Sequence, residues 1–305
     1  VRLCYWGKTF TNNTSYQGRL KEITQTGVEL IGDDSSAADG EMIAMVIEAL
    51  KAAGLKEFQV ELGQVEFFKG LAEEAGMEEE TQETLRTLIE NKNYFGVEEL
   101  VSESPMPQQL KELFLKLPEL FGTLEQMRRV KGLVHNERSL KAIERLERVQ
   151  EILKTYGMAE YVSYDLGMLS KYQYYTGIIF KAYTYGTGEY IVTGGRYDKL
   201  LVQFGKDVPA VGFAIVIDQL LLAISRQKIE VFTDQIDALV VYDWEVQKDG
   251  IGLAADLRKK GKRTILIKKS SELSFQEYED WARKKGIQTL YCMEKNGERR
   301  SLCLI

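Results

Sequence analysis

Gln25 and Glu29 stand four residues apart in a stretch, Gly18 to Ile31, whose β-prone pattern predicts a strand. The two-residue period of a strand puts this amide and this carboxylate on one face. Further along come Tyr174-Tyr175-Thr176-Gly177, then Gly194-Gly195-Arg196-Tyr197-Asp198, then Pro209-Ala210-Val211-Gly212-Phe213-Ala214. Such a set could line a pocket for an amino acid. The amide and carboxylate would bind its polar groups, and a ligand lacking them would leave buried groups unpaired at about 1–3 kcal/mol each. Tyr174 and Tyr175 offer an aromatic wall and a hydroxyl, and Gly194 and Gly195 allow close approach of backbone. Each piece also has a plainer reading. Gln25 and Glu29 could be a solvated sheet face, the tyrosines core packing, the glycine pair a hairpin turn, and Arg196 with Asp198 a structural ion pair.

Other chemistry finds few candidates. His135 is the single histidine, which rules out most histidine-dependent triads and metal clusters, and its neighbours Glu137 and Arg138 mark it as a surface residue. Cys4, Cys292 and Cys303 form neither a CxxC nor a Cys/His ligand spacing, so no metal, cofactor or disulfide framework is expected. The phosphate-binding GxxxxGK[ST] pattern does not occur, and Gly186-Thr187-Gly188 lacks the strand-to-helix setting a phosphate cradle needs. No catalytic residue is assigned.

The elements that must position the polar set follow from periodicity. Arg2 to Phe10 and Gly18 to Ile31 form a long hairpin around the turn cluster Asn12 to Ser15, with Gly27 as a bulge or close-approach point. Asp39 is expected to cap an amphipathic helix that carries Met42, Met45, Val46, Ala49 and Leu50 and ends at Gly54. Phe58 to Leu62 is a strand. From Gln64 to about Gly157 the pattern is helical and interrupted by Pro105, Pro107 and Pro118, as in a helical insertion on one side of a sheet. An antiparallel strand pattern resumes at Tyr161 to Leu166, Gly177 to Tyr183 and Tyr190 to Thr193, and Val211 to Ile217 runs into a helix that reaches Ser225. Residues 226 to 235 read as a linker. Beyond it, strands at Ile236 to Tyr242, Arg263 to Lys268 and Ile287 to Met293 alternate with helices at Gly252 to Lys260 and Phe275 to Lys285. Asn296-Gly297 then turns into Arg300 to Ile305, giving a small, mainly parallel α/β domain. The expected plan is α+β, with domains at 1–225 and 236–305 and the insertion at about 64–157.

The 305 residues carry a net charge of −6, with 44% hydrophobic and 28% charged side chains, as in a globular protein of about two domains. An acidic chain of sequence pI near 5.3 has no overall cationic footprint for nucleic acid. The basic runs Arg258-Lys259-Lys260 and Arg283-Lys284-Lys285 end predicted helices, where the helix dipole favours cations. The cysteine usage fits a reducing cytosol, and the chain holds neither an apolar membrane-length run nor a basic-then-apolar leader. Because Val1 opens directly into a strand, residues are expected to precede it.

The motifs in combination resemble the class II histidyl-tRNA synthetase family, and most closely its branch of ATP phosphoribosyltransferase regulatory subunits. Arg2 to Gly32 is similar to the second class II motif, Tyr174-Tyr175-Thr176-Gly177 to the histidine signature, and 236–305 to a reduced C-terminal domain. The resemblance implies a class II antiparallel sheet flanked by helices, with bound histidine over Gln25 and Glu29. It implies the histidine-binding set Gln25, Glu29, Tyr174, Tyr175, Gly194 and Gly195. Three arginines of working synthetases are replaced, by Thr11 after Phe10, by Ser170 beside Lys171, and by Gln219 in Ile217-Asp218-Gln219-Leu220. Losing one preorganised cation costs on the order of 3 kcal/mol in phosphate chemistry, so adenylate formation is not expected. What the branch implies instead is a non-catalytic, allosteric subunit for the first step of histidine biosynthesis and its inhibition by histidine. Its partner would be a short-form ATP phosphoribosyltransferase catalytic subunit, with a homodimer inside a cytoplasmic hetero-octamer and no tRNA. An active histidyl-tRNA synthetase and a fold-only interaction module remain as alternatives.

Overall fold

A computed structural model describes residues 1–12, 21–169, 174–231 and 235–304. The chain separates into two compact units, Val1–Ile229 and Glu230–Ile305. The first begins with the hairpin β1 (Arg2–Phe10) and β2 (Glu22–Ile31), followed by α1 (Ser36–Ala52) and β3 (Phe58–Gln64). Next come α2 (Val65–Glu74), α3 (Glu79–Glu90), α4 (Tyr94–Glu103), α5 (Gln108–Lys116), the short β4 (Phe121–Gly122), α6 (Leu124–Lys131) and α7 (Glu137–Thr155). The chain then returns to the sheet through β5 (Val162–Asp165), β6 (Ile178–Thr184), β7 (Val192–Arg196) and β8 (Ala210–Val216), and α8 (Ile217–Arg226) closes the unit.

The strands make one eight-stranded sheet in the order β1-β2-β8-β7-β6-β3-β5-β4. Every neighbouring pair is antiparallel except β3 and β5, which run parallel. A parallel neighbour requires a long crossover, and α2 to α7 are that crossover. The strand pattern after the insertion reads as antiparallel from sequence, and β5 departs from that expectation by running parallel to β3, because strand composition carries no direction. Pro107 caps α5 and Pro118 lies in the 3-10 turn after it, so two of the prolines do break helices.

One face of the sheet is apolar. Leu30, Leu62, Phe180, Val211 and Phe213 share a continuous core with Met42, Ile43, Ile47 and Leu50 of α1 and with Ile143, Leu146 and Val149 of α7. Phe67, Leu85 and Phe114 extend the same core into the helical region. Asp39 does not cap α1, contrary to the expectation from sequence. Ser35 does so, its side chain accepting from the Ala38 N–H at 3.2 Å. Asp39 lies in the first turn and is fully buried, its carboxylate 2.7 Å from the Arg196 guanidinium and 2.7 Å from that of Arg145. Arg196 also reaches Asp198 at 3.0 Å, so a buried carboxylate is matched by two guanidiniums. The expected turn at Asn13 to Ser15, and Gly18 at the head of the second strand, lie outside the described residues.

The second unit contains β9 (Ala238–Tyr242), α9 (Gln247–Lys259), β10 (Thr264–Lys268), α10 (Phe275–Lys284), β11 (Thr289–Met293) and β12 (Arg299–Cys303). β10, β9 and β11 are parallel and β12 joins β11 antiparallel. Leu239, Val241, Tyr278, Ala282, Ile287, Leu290 and Leu304 form its core. α9 starts five residues before the predicted Gly252, because Gly250 reads as a breaker in the sequence. In the fold Gly250 is a packing glycine, since a Cβ there would lie 2.7 Å from Tyr242. Among the described residues no helix is long and apolar enough to cross a membrane.

Candidate functional site

On the opposite face of the eight-stranded sheet, hairpin register brings the polar set together. Residues paired across strands share a face. Tyr5 faces Gly27 and Gly7 faces Gln25, while Glu29 is paired with Gly212 and Gly212 with Gly195. Tyr5, Gln25, Gly27, Glu29, Gly212 and Gly195 therefore lie on one surface, and Tyr197, two residues beyond Gly195, joins them.

The glycines make the floor. A Cβ on Gly212 would sit 1.7 Å from a carboxylate oxygen of Glu29, and one on Gly195 would sit 2.6 Å from the Tyr175 ring. Gly27 is a close-approach point and not a bulge, because the β1 register continues through it and the Tyr5 ring lies 2.4 Å from where its Cβ would be. Gly194 departs from the sequence expectation. It faces the apolar core, where a Cβ would meet Phe180 at 2.5 Å, so the alternation of β7 leaves Gly195 alone of the pair on the site face.

Above this floor stand the side chains. Gln25 donates through Nε2 to the Tyr5 hydroxyl at 2.7 Å, and the Thr9 hydroxyl approaches its Oε1 at 3.4 Å. The Tyr197 hydroxyl donates to Oε2 of Glu29. Tyr174 packs against Tyr175, ring centroids 4.6 Å apart, and meets Tyr197 edge-on at 6.1 Å. Tyr175 also packs against Val65, Met168 and Ile179, a small apolar cluster beside the polar set. Two backbone contacts tie this turn to the end of β7. The Thr176 N–H donates to the Arg196 carbonyl at 2.8 Å, and the Asp198 N–H donates to the Thr176 hydroxyl at 2.9 Å.

Burial raises the pKa of the Glu29 carboxyl, and the hydrogen bond from Tyr197 opposes that rise. Burial also raises the Tyr197 phenol, and the neighbouring Glu29 carboxylate raises it further, so this hydroxyl stays protonated as a donor. Tyr5 is shifted upward by burial first and then by Glu29. The arrangement can accept hydrogen bonds at Glu29 and can both donate and accept at the Gln25 amide. Tyr197 and Gly212 stand within the motifs that the sequence marks, and Tyr5 within the hairpin, without a role of their own there. Strand alternation from Gly195 marks Tyr197, and the hairpin register marks Tyr5 opposite Gly27.

The positions where the resemblance replaces arginines are polar and uncharged. The Thr11 N–H donates to the Lys21 carbonyl at 2.8 Å, closing the hairpin. Gln219 lies in the first turn of α8, and its buried Oε1 has no hydrogen-bond partner among the described residues. Beside it, Asp218 accepts from the Thr24 N–H at 2.8 Å. Ser170 and Lys171 lie outside the described residues. His135 is exposed in a surface cleft of about 540 Å³ lined by Glu73, Glu74, Asn136, Glu137 and Arg138, a set separate from the residues of the sheet site.

The histidyl-tRNA synthetase family profile matches residues 1–220. The ATP phosphoribosyltransferase regulatory subunit of Acetivibrio thermocellus is 46% identical over 261 residues, which are 86% of this chain and 62% of that protein. The chain thus spans about three fifths of that relative's length. The protein of the same name from Clostridium kluyveri is 39% identical over 91% of this chain and 72% of its own length. A solved structure from Bacillus halodurans, described as an ATP phosphoribosyltransferase regulatory subunit/histidyl-tRNA synthetase, superposes with a TM-score of 0.80 at 30% identity, covering 96% of this chain and 73% of the other. The Nostoc histidyl-tRNA synthetase, at 17% identity and a TM-score of 0.78, covers 99% of this chain and 75% of its own, and shares the fold. The chain belongs to the histidyl-tRNA synthetase family, in its branch of ATP phosphoribosyltransferase regulatory subunits.

Proposed function

We propose that this chain is a non-catalytic, cytoplasmic regulatory subunit that assembles with a short-form ATP phosphoribosyltransferase catalytic subunit and carries histidine feedback. In this reading histidine lies on the Gly195 and Gly212 floor. Glu29 accepts the imidazole N–H, Gln25 contacts the α-amino or carboxylate group, and Tyr174 and Tyr175 form the wall. The observation that carries the reading is the convergence of Gln25, Glu29, Tyr174 and Tyr197 on one sheet face, in a chain whose relatives are named regulatory subunits. Thr11 and Gln219, in place of cations, supply no positive charge to a phosphate, which supports regulation over adenylate chemistry.

Histidine binding shifts the assembly toward a poorly active state. By linkage, substrates favouring the active state weaken histidine binding by the same factor. The test mixes the chain with its catalytic partner and follows phosphoribosyl transfer with and without histidine. Transfer should depend on this chain and fall with histidine, and Glu29→Ala should abolish the inhibition while leaving assembly intact. A Glu29→Ala complex that remains fully histidine-sensitive would overturn the pocket assignment. Histidine- and ATP-dependent pyrophosphate exchange by this chain alone would replace the regulatory reading with that of a synthetase.

A further inference from the structure

Three features distinguish Tyr5 from the other side chains of β1. Its ring occupies the space that Gly27 leaves open, 2.4 Å from where a Cβ would stand, so its position is set by the backbone of the neighbouring strand. Its hydroxyl accepts from Gln25 Nε2 at 2.7 Å, a shorter contact than the 3.4 Å approach of Thr9 on the other side of the same carboxamide. Its phenol also feels the Glu29 carboxylate and Tyr174, which places it among the groups assigned to the ligand. A glutamine side chain on a half-buried strand has three rotatable bonds, and ordering it for each ligand would cost affinity. A fixed partner removes that cost before the ligand arrives.

We propose that Tyr5 is a positioning residue of the histidine site, whose hydroxyl holds the Gln25 carboxamide ready for the polar head of the amino acid. The inference rests on the pocket reading above and adds a residue to it. Tyr5→Phe keeps the ring over Gly27 and removes only the hydroxyl. The affinity of this chain for L-histidine, measured by calorimetry, should then fall about threefold to tenfold, the scale of one net side-chain hydrogen bond. The same change made in a Gln25→Ala background should cost less than twofold, because the group that Tyr5 positions is already gone. A merely structural role for Tyr5 would carry its full effect into both backgrounds. The Gln25 side-chain amide gives a second readout without ligand, since its protons should exchange faster with solvent in Tyr5→Phe than in the parent.

Unchanged histidine affinity in Tyr5→Phe, or an equal loss with and without Gln25, overturns the inference and leaves the pocket reading standing. A parent chain that takes up no histidine at millimolar concentration overturns the pocket reading itself, and the role of Tyr5 with it.

Discussion

The two faces of the eight-stranded sheet are built from the same strands and differ in almost every respect. Toward α1 and α7, Leu30, Phe180, Val211 and Phe213 enter a continuous apolar core whose charged cluster, Asp39 and Asp198 with Arg145 and Arg196, is internally matched. On the other face the same strands present Gln25, Glu29, Tyr197 and a glycine floor. β7 and the residue that follows it show the division in four consecutive positions. Gly194 and Arg196 serve the core, while Gly195 and Tyr197 serve the site. A motif that looks like one functional unit in the sequence is two interleaved sets, one turned to the apolar core and one to the polar face.

The sharpest way to break this comparison is to remove the buried carboxylate. Asp39→Ala leaves two guanidiniums facing each other without their shared anion, and breaking a buried pair on one side costs about 3–5 kcal/mol. Denaturant melts should show that loss. A variant within experimental error of the parent would mean the cluster is not structurally required. Gly194→Ala comes next. Its Cβ would lie 2.5 Å from the Phe180 ring and 2.6 Å from the Gly212 carbonyl oxygen, so overpacking should cost about 1–3 kcal/mol. Gly212→Ala sharpens the contrast, because its Cβ would displace the Glu29 carboxylate. The same Cβ would lie 2.6 Å from the Val28 carbonyl oxygen, so melts should show a stability cost and calorimetry on the folded variant should find histidine binding lost as well.

The sequence makes the outline of both sheets legible, because alternation and turn residues place β1, β2, β8 and the strands of the second unit within a few residues. Gln25 and Glu29 could be paired from the two-residue period alone. What it hides is partnership across strands. Tyr5 belongs to the site only through its register opposite Gly27, and Asp39 leaves the role of helix cap only because Arg145 and Arg196 approach from elements 106 and 157 residues away. Long-range pairing of this kind has no local signature. A glycine pair in a sequence suggests close approach of both residues to a ligand, whereas strand parity divides Gly194 and Gly195 between the two faces.

The smallest effect expected is on stability when the site loses its charge. Burial raises the folded-state pKa of Glu29 above its unfolded value, so the fold favours the protonated carboxyl. For a group shifted in this sense, the stabilising contribution is present below the unfolded pKa and is lost as pH rises through the folded value. At neutral pH the ionised carboxylate therefore disfavours the folded state. Glu29→Gln keeps an acceptor for the Tyr197 hydroxyl and removes the charge, so its melting temperature at pH 7 should equal or slightly exceed that of the parent. The difference should shrink on acidification as the parent takes up its proton. Histidine affinity should fall in the same variant, since an amide is a weaker acceptor than a carboxylate for a ring N–H. Thermal melts from pH 4 to pH 8, paired with calorimetry, read both quantities. A clear loss of stability at pH 7 would move Glu29 to the structural side of the comparison, whereas unchanged stability with weakened binding is the mark of a face kept for its ligand.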